Sequence, residues 1–321
     1  MQALLLERSG SIALQDVPVP RPPRGECLVR VRAAGICGTD LQLLHGYAEF
    51  EGIPGHEFAG VVEAVDSPAD SHWIGKRVAG EINIGCGRCE WCARGVREHC
   101  TSRAVLGIRG RDGAFAEFLT LPAVNLHEIP SSIDDRTAVF VGPVAACCRI
   151  LEQVDVGDRT RVAVLGDGRM GLLAAQVLRT VAAGVTLFGR HDRKLTIARE
   201  FGLSTARAGD AAGTAGSFDV VVDVTGRPEG FQQALDLARP RGVVVMKSTF
   251  HGEVPIASWP IVVNEITIVG SRCGPFRRAI DLLASGAVRT APLVSRVASL
   301  ADYESAFADA RRMLKVLFTP A

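Results

Sequence analysis

From residue 162 onward the chain alternates two hydrophobic patterns. Residues 162–165 are apolar throughout, and 172–181 then carry apolar side chains at helical spacing. Apolar-rich runs of strand length recur at 185–188, 220–224, 243–246 and 266–269, with a second helical stretch over 191–201. Strands that are apolar on both faces must be covered on both faces. The alternation therefore predicts an α/β fold built on a doubly wound parallel sheet. Residues 1–150 read differently. Their runs are short, as at 27–33 and 58–65, and Pro/Gly clusters such as PVPRPPRGE and GIPGHE separate them, which predicts a β-rich domain. The polar turn DVGDRTR at 155–161 marks the change, and a last helical pattern follows at 277–285.

The strand at 162–165 runs directly into Gly166-Asp167-Gly168-Arg169-Met170-Gly171, a G-x-G-x-x-G loop that opens a helix. The first glycine allows the tight turn, the second lets the backbone approach a pyrophosphate, and the third permits close helix–strand packing. The helix N-terminus then faces the phosphates, with Arg169 and Met170 in its first turn. The end of the next strand selects the dinucleotide, because an acid there would bind the adenosine ribose and repel a 2′-phosphate. Here Gly189 and Arg190 occupy that place and the first acid, Asp192, comes later, so NADP is expected in preference to NAD. An aspartate introduced at 189 is expected to move the preference towards NAD.

A length of 321 residues fits two domains of about 150 residues each. Apolar residues make up 47% and charged residues 22%, a folded profile, and the formal net charge of +1 excludes the basic field of a nucleic-acid-binding protein. The start, MQALLLERSG, reads as neither signal peptide nor membrane span, so a cytoplasmic location is expected. Four of the nine cysteines fall in one short stretch, Cys86, Cys89, Cys92 and Cys100. Cys-x-x-Cys spacing in a reducing compartment suits metal, and four thiolates close a tetrahedral structural zinc site. Cys37 in GICGTD, with His56 and Glu57 in IPGHEFAG, is a second candidate set. Three protein ligands leave zinc an open position at which it can polarise an alcohol.

GICGTD, PGHEFAGVV, the four-cysteine stretch, DGAFAEFLTLP, GDGRMG and GSRCG together resemble the medium-chain dehydrogenase/reductase superfamily, in its zinc-containing alcohol/polyol branch. The resemblance implies a GroES-like catalytic domain over 1–150, with its zinc lobe at 86–100, completed by 276–321. A Rossmann domain would span 151–275, with a cleft between the two holding the nicotinamide beside zinc. Cys37, His56 and Glu57 would be the catalytic zinc ligands, and Thr39 the hydroxyl that handles the substrate proton. Lys315 resembles the basic residue that touches the cofactor pyrophosphate. The implied reaction exchanges a hydride between NAD(P) and a secondary alcohol or ketone, in a homodimer or homotetramer. Two positions depart from the pattern. Gly142 stands where polyol relatives carry a zinc-site glutamate, and Gln42 where many carry the histidine that ends a proton relay. Cys147, close to Gly142, reads as packing. A same-fold reductase without catalytic zinc, acting on an activated double bond or imine, is the alternative, followed by a non-catalytic cofactor-binding relative.

Overall fold

The computed structural model describes residues 1–248 and 253–320. Its contacts divide the chain into two units, Met1–Gly142 with Leu293–Ala321, and Pro143–Pro292.

The second unit is built on six parallel strands. Their spatial order is Ser204–Arg207, Gly184–Gly189, Arg161–Leu165, Phe218–Asp223, Ala238–Met246 and Thr267–Gly270. This is the doubly wound order, with the chain reversing direction across the sheet beside Arg161–Leu165. Val162, Val164, Val221, Val222, Val244 and Val245 are fully buried, as continuous apolar runs require of a sheet covered on both faces. Ser204–Arg207 is the strand that the hydrophobic pattern does not announce. It is a short edge strand with no buried side chain, so it carries no apolar run. The helix Phe276–Ala284 also belongs to this unit, whereas the sequence reading places the return to the first domain at 276. The reason is a side-chain clamp. Gln176 accepts from the Arg289 amide at 2.9 Å and donates to the Arg289 carbonyl at 3.2 Å, fastening the segment that follows this helix onto the helix Arg169–Arg179.

The first unit centres on the ten-residue strand Glu26–Gly35, whose alternate residues Cys27, Val29, Val31 and Ala33 are buried. It pairs antiparallel with Phe58–Val65, with Phe118–Pro122 and, at Ala34 and Gly35, with the C-terminal strand Lys315–Phe318. Phe115, Phe307 and Phe318 pack edge to face beneath these strands, with centroids 5.1 to 6.0 Å apart. A small lobe leaves the sheet between the paired strands Asn83–Ile84 and Ala104–Val105.

Candidate active site and metal centres

The pairing of Glu26–Gly35 with Phe58–Val65 builds the first site. The Gly35 amide donates to the Glu57 carbonyl at 2.7 Å, which sets the residues just past one strand against those just before the other. The ligand atoms of Cys37, His56 and Glu57 consequently lie within 4.8 Å of one another. Cys37 caps the helix Gly38–Leu43, and Asp40 in its first turn accepts from the Cys37 amide at 2.7 Å. The other Asp40 oxygen stands 3.2 Å from His56 Nδ1, an ion-pair distance with poor hydrogen-bond alignment, and neither atom has a better-placed partner among the described residues. With Nδ1 turned to Asp40, Nε2 is the ring nitrogen left for an ion. A carboxylate behind a ligating imidazole orients the ring and raises its basicity. Burial works to lower the His56 pKa. The charge of Asp40, with the close polar contacts of Asp40 and Cys37, outweighs it and leaves the ring well above its ordinary range. A thiolate, an imidazole and a carboxylate form a donor set that suits zinc. Thr39 Oγ1 lies 4.0 Å from Cys37 Sγ, a weak sulfur contact on the same helical turn.

Lys315 is 1% exposed at the start of the C-terminal strand. Its ammonium forms an ion pair with Glu57 and donates to the Ile36 carbonyl at 3.1 Å. Gly35 makes this possible, because a Cβ at that position would run into the Lys315 side-chain end. The structure therefore places Lys315 buried behind Cys37, His56 and Glu57, and not on the surface.

In the lobe, the four sulfurs of Cys86, Cys89, Cys92 and Cys100 also lie within 4.8 Å of one another, the arrangement a closed tetrahedral site requires. Amides of Arg88 and Cys89 lower the Cys86 thiol to about 6, and the Cys86 amide donates to Cys100 Sγ at 3.4 Å. Burial pushes Cys92 up to about 11. Cys147 is a packing residue. It is fully buried, its Sγ lies 3.9 Å from the Met170 carbonyl, and burial pushes its thiol up to about 12.

In the second unit, the glycine loop borders a cavity of about 450 Å³, with Gly166, Gly168 and Gly189 in its wall. Gly166 has φ +116°, closed to most side chains, and Gly171 sits so close to the Gly166 carbonyl that a Cβ has no place. Arg169, Met170 and Gly171 start the helix and are not part of the cavity wall. Arg190, His191, Lys194 and Arg227 bring basic side chains to the cavity, against the carboxylates of Asp167 and Glu229. Asp167 fills the space beside Gly189. A Cβ added to Gly189 would lie 2.6 Å from Asp167 Cβ, 2.7 Å from its Oδ2 and 2.8 Å from Leu195 Cδ2. An aspartate at 189, expected from the sequence to move the preference towards NAD, would have to displace Asp167 or Leu195 to enter. The site has no room for a side chain, and a second carboxylate would meet the first.

The alcohol dehydrogenase GroES-like domain family matches residues 23–131, and the zinc-binding dehydrogenase family matches residues 170–285. The chain is 33% identical to an L-threonine 3-dehydrogenase of Streptomyces avermitilis, over 97% of this chain and 96% of that protein. It belongs to the zinc-binding dehydrogenases of the medium-chain dehydrogenase/reductase superfamily. A solved zinc-binding dehydrogenase of Sinorhizobium meliloti bound to NADP superposes with a TM-score of 0.92 at 34% identity, covering 99% of each chain. An Escherichia coli alcohol dehydrogenase complexed with NADH superposes equally well, with a TM-score of 0.92 at 28% identity and 99% coverage of each chain.

Within this dehydrogenase, three contributors escape a reading of motifs. Asp40 lies inside GICGTD and Asp167 inside GDGRMG, so each is hidden by the motif around it. The partner of Lys315 lies 258 positions away in the chain. The only local signal was an acidic residue where the motif is indifferent to side chain.

Proposed function

We propose that the protein is a zinc-dependent, NADP-preferring dehydrogenase that interconverts a secondary alcohol, of polyol, sugar or related type, and its ketone. The observation that carries this reading is the convergence of Cys37, His56 and Glu57 beside the Thr39 hydroxyl. Zinc held by these three groups supplies a Lewis acid that polarises the substrate oxygen and eases loss of the hydride. The chain's charges match such an ion. The Cys37 thiolate with the Glu57 and Asp40 carboxylates supplies three negative charges, and Lys315 returns one positive, leaving two to meet a dication. Lys315 pairs with Glu57 and holds in place the carboxylate that a zinc ion would share. Thr39 takes the proton of the alcohol at Oγ1. Gln42 cannot relay it by acid–base exchange, so it passes from half-buried Thr39 to water. The four-cysteine lobe holds a second, structural zinc.

Arg190, Lys194 and Arg227 around the glycine-loop cavity support NADP, since a dianionic 2′-phosphate is bound by such cations. Turnover of a panel of secondary alcohols and ketones with each cofactor tests this. The expected kcat/KM favours NADP by about tenfold or more, or about 1.4 kcal/mol. A tenfold preference for NAD overturns the cofactor assignment. Gly142 favours one rival, a metal-independent reductase of an activated double bond or imine, because the site lacks the further carboxylate of polyol relatives. Turnover of such substrates with undiminished rate after metal removal would support it.

We also propose that the protein assembles as a homodimer or larger homo-oligomer through the edge of the second unit. Thr267–Gly270 is an edge strand, and the neighbouring Trp259, Val262 and Val263 are 65%, 77% and 68% exposed. An open strand edge flanked by apolar side chains pairs most readily with a second copy of itself. Light scattering is expected to give at least a dimer mass, and Val262→Glu to reduce it. A monomeric wild type contradicts the assignment. No helix among the described residues is long and apolar enough to cross a membrane.

A further inference from the structure

The carboxylate of Asp167 is 8% exposed, lies within the glycine loop, and faces the place where a phosphate-bearing cofactor would approach. A negative charge there works against the ligand unless it is committed elsewhere, and every contact around it shows such a commitment. Its Oδ2 accepts from the Arg190 amide at 2.7 Å and from the His191 amide at 2.7 Å. The His191 ring Nδ1 stands 3.0 Å from both carboxylate oxygens. Burial would raise the carboxyl, but the His191 and Arg190 contacts prevail and hold it below the ordinary carboxylate range, so it is ionised at neutral pH. The far side of the same turn is fixed as well, because Arg207 donates to the Arg190 carbonyl at 3.0 Å and pairs with Asp192. The backbone of Arg190 is thus gripped at its amide by Asp167 and at its carbonyl by Arg207, with its side chain exposed at the cavity.

We infer that Asp167 is a specificity-determining positioning residue. It holds the turn Arg190–His191 so that the cations of Arg190 and Lys194 meet the 2′-phosphate of NADP, and it stands in the space where a ribose-binding acid would otherwise enter. The inference rests on the NADP reading above. Its chemical content is that the carboxylate serves the protein's own amides and imidazole and is not offered to the ribose. Three donors converge on it, close to the number a carboxylate can accept. It also keeps Gly189 bare, since any side chain at 189 would overlap it.

The test compares kcat/KM for NADP and for NAD in wild type, Asp167→Asn and His191→Ala. Asparagine keeps the size of Asp167 but cannot hold both amides and the ring while carrying charge. His191→Ala removes the ring contact and leaves the amide contact intact, so it remains informative if the first variant folds poorly. Each variant is expected to lower kcat/KM for NADP by about tenfold while changing that for NAD by less than about threefold, a split that general loosening of the fold would not produce. A wild type that prefers NADP, with a ratio unchanged in both variants, overturns the positioning role and leaves the cofactor assignment standing. A wild type that prefers NAD removes both. A loss shared equally by the two cofactors shows a structural role only and also overturns the inference.

Discussion

Cys92→Ser is expected to lose one equivalent of zinc and a large part of the stability of the lobe. The lobe has little else to hold it. Its only paired strands are two residues long, its helix Glu90–Ala93 is a single turn, and that helix has no buried residue. Zinc binding is worth about 10–16 kcal/mol in isolated zinc-finger peptides, and domains as a whole are stable by about 5–15 kcal/mol, so even partial loss of that contribution is severe. Serine cannot supply a thiolate, and the three remaining sulfurs leave the ion open to water and chelators. Metal content and thermal melting of the purified variant check this. A variant with wild-type zinc and an unchanged Tm would show that Cys92 is not a ligand.

Lys315→Met is expected to destabilise the metal-free protein by about 3–5 kcal/mol, because it strands the Glu57 carboxylate in a buried pocket without its cation. Methionine is close to lysine in length and fills most of the same space, so the loss reports the charge more than a cavity. Zinc added to the variant is expected to recover part of this, since the ion brings its own positive charge to Glu57. The measurement is denaturant unfolding of wild type and variant with and without zinc. Equal stability of the two metal-free proteins would mean that the ion pair contributes nothing, and an absence of zinc rescue would place Glu57 outside the ion's reach.

Much of this architecture was legible in the chain because it is written locally. The buried parallel strands show as unbroken apolar runs, and the cysteine lobe shows as spacing within fifteen residues. Ser204–Arg207 was invisible for the converse reason, since an exposed edge strand of four residues needs no apolar signature. The glycine loop and the GICGTD and GHE segments marked where chemistry would lie. What held those segments was not legible, because it depends on strands pairing across the fold. Asp40 reaches His56 through the pairing of two strands, Lys315 reaches Glu57 from the opposite end of the chain, and Asp167 meets Arg190 and His191 across adjacent strand ends. Lys315 shows the limit most clearly. Its place in LKVLF carries no sign of its burial or of its partner, which come from the register of Lys315–Phe318 against Gly35.

Under the proposed function, Cys37, His56 and Glu57 hold a metal on which turnover depends, while the four cysteines hold one that turnover does not use. A closed four-thiolate site resists chelation, whereas three ligands with an open position, and no further carboxylate from residue 142, release their ion more readily. Zinc per subunit and alcohol oxidation should therefore be followed together through mild chelation and readdition. Two zinc ions per subunit are expected at the outset, with loss of one in step with activity and return of both on adding zinc. Full activity at one zinc per subunit, with the remaining ion in the cysteine lobe, would contradict that function.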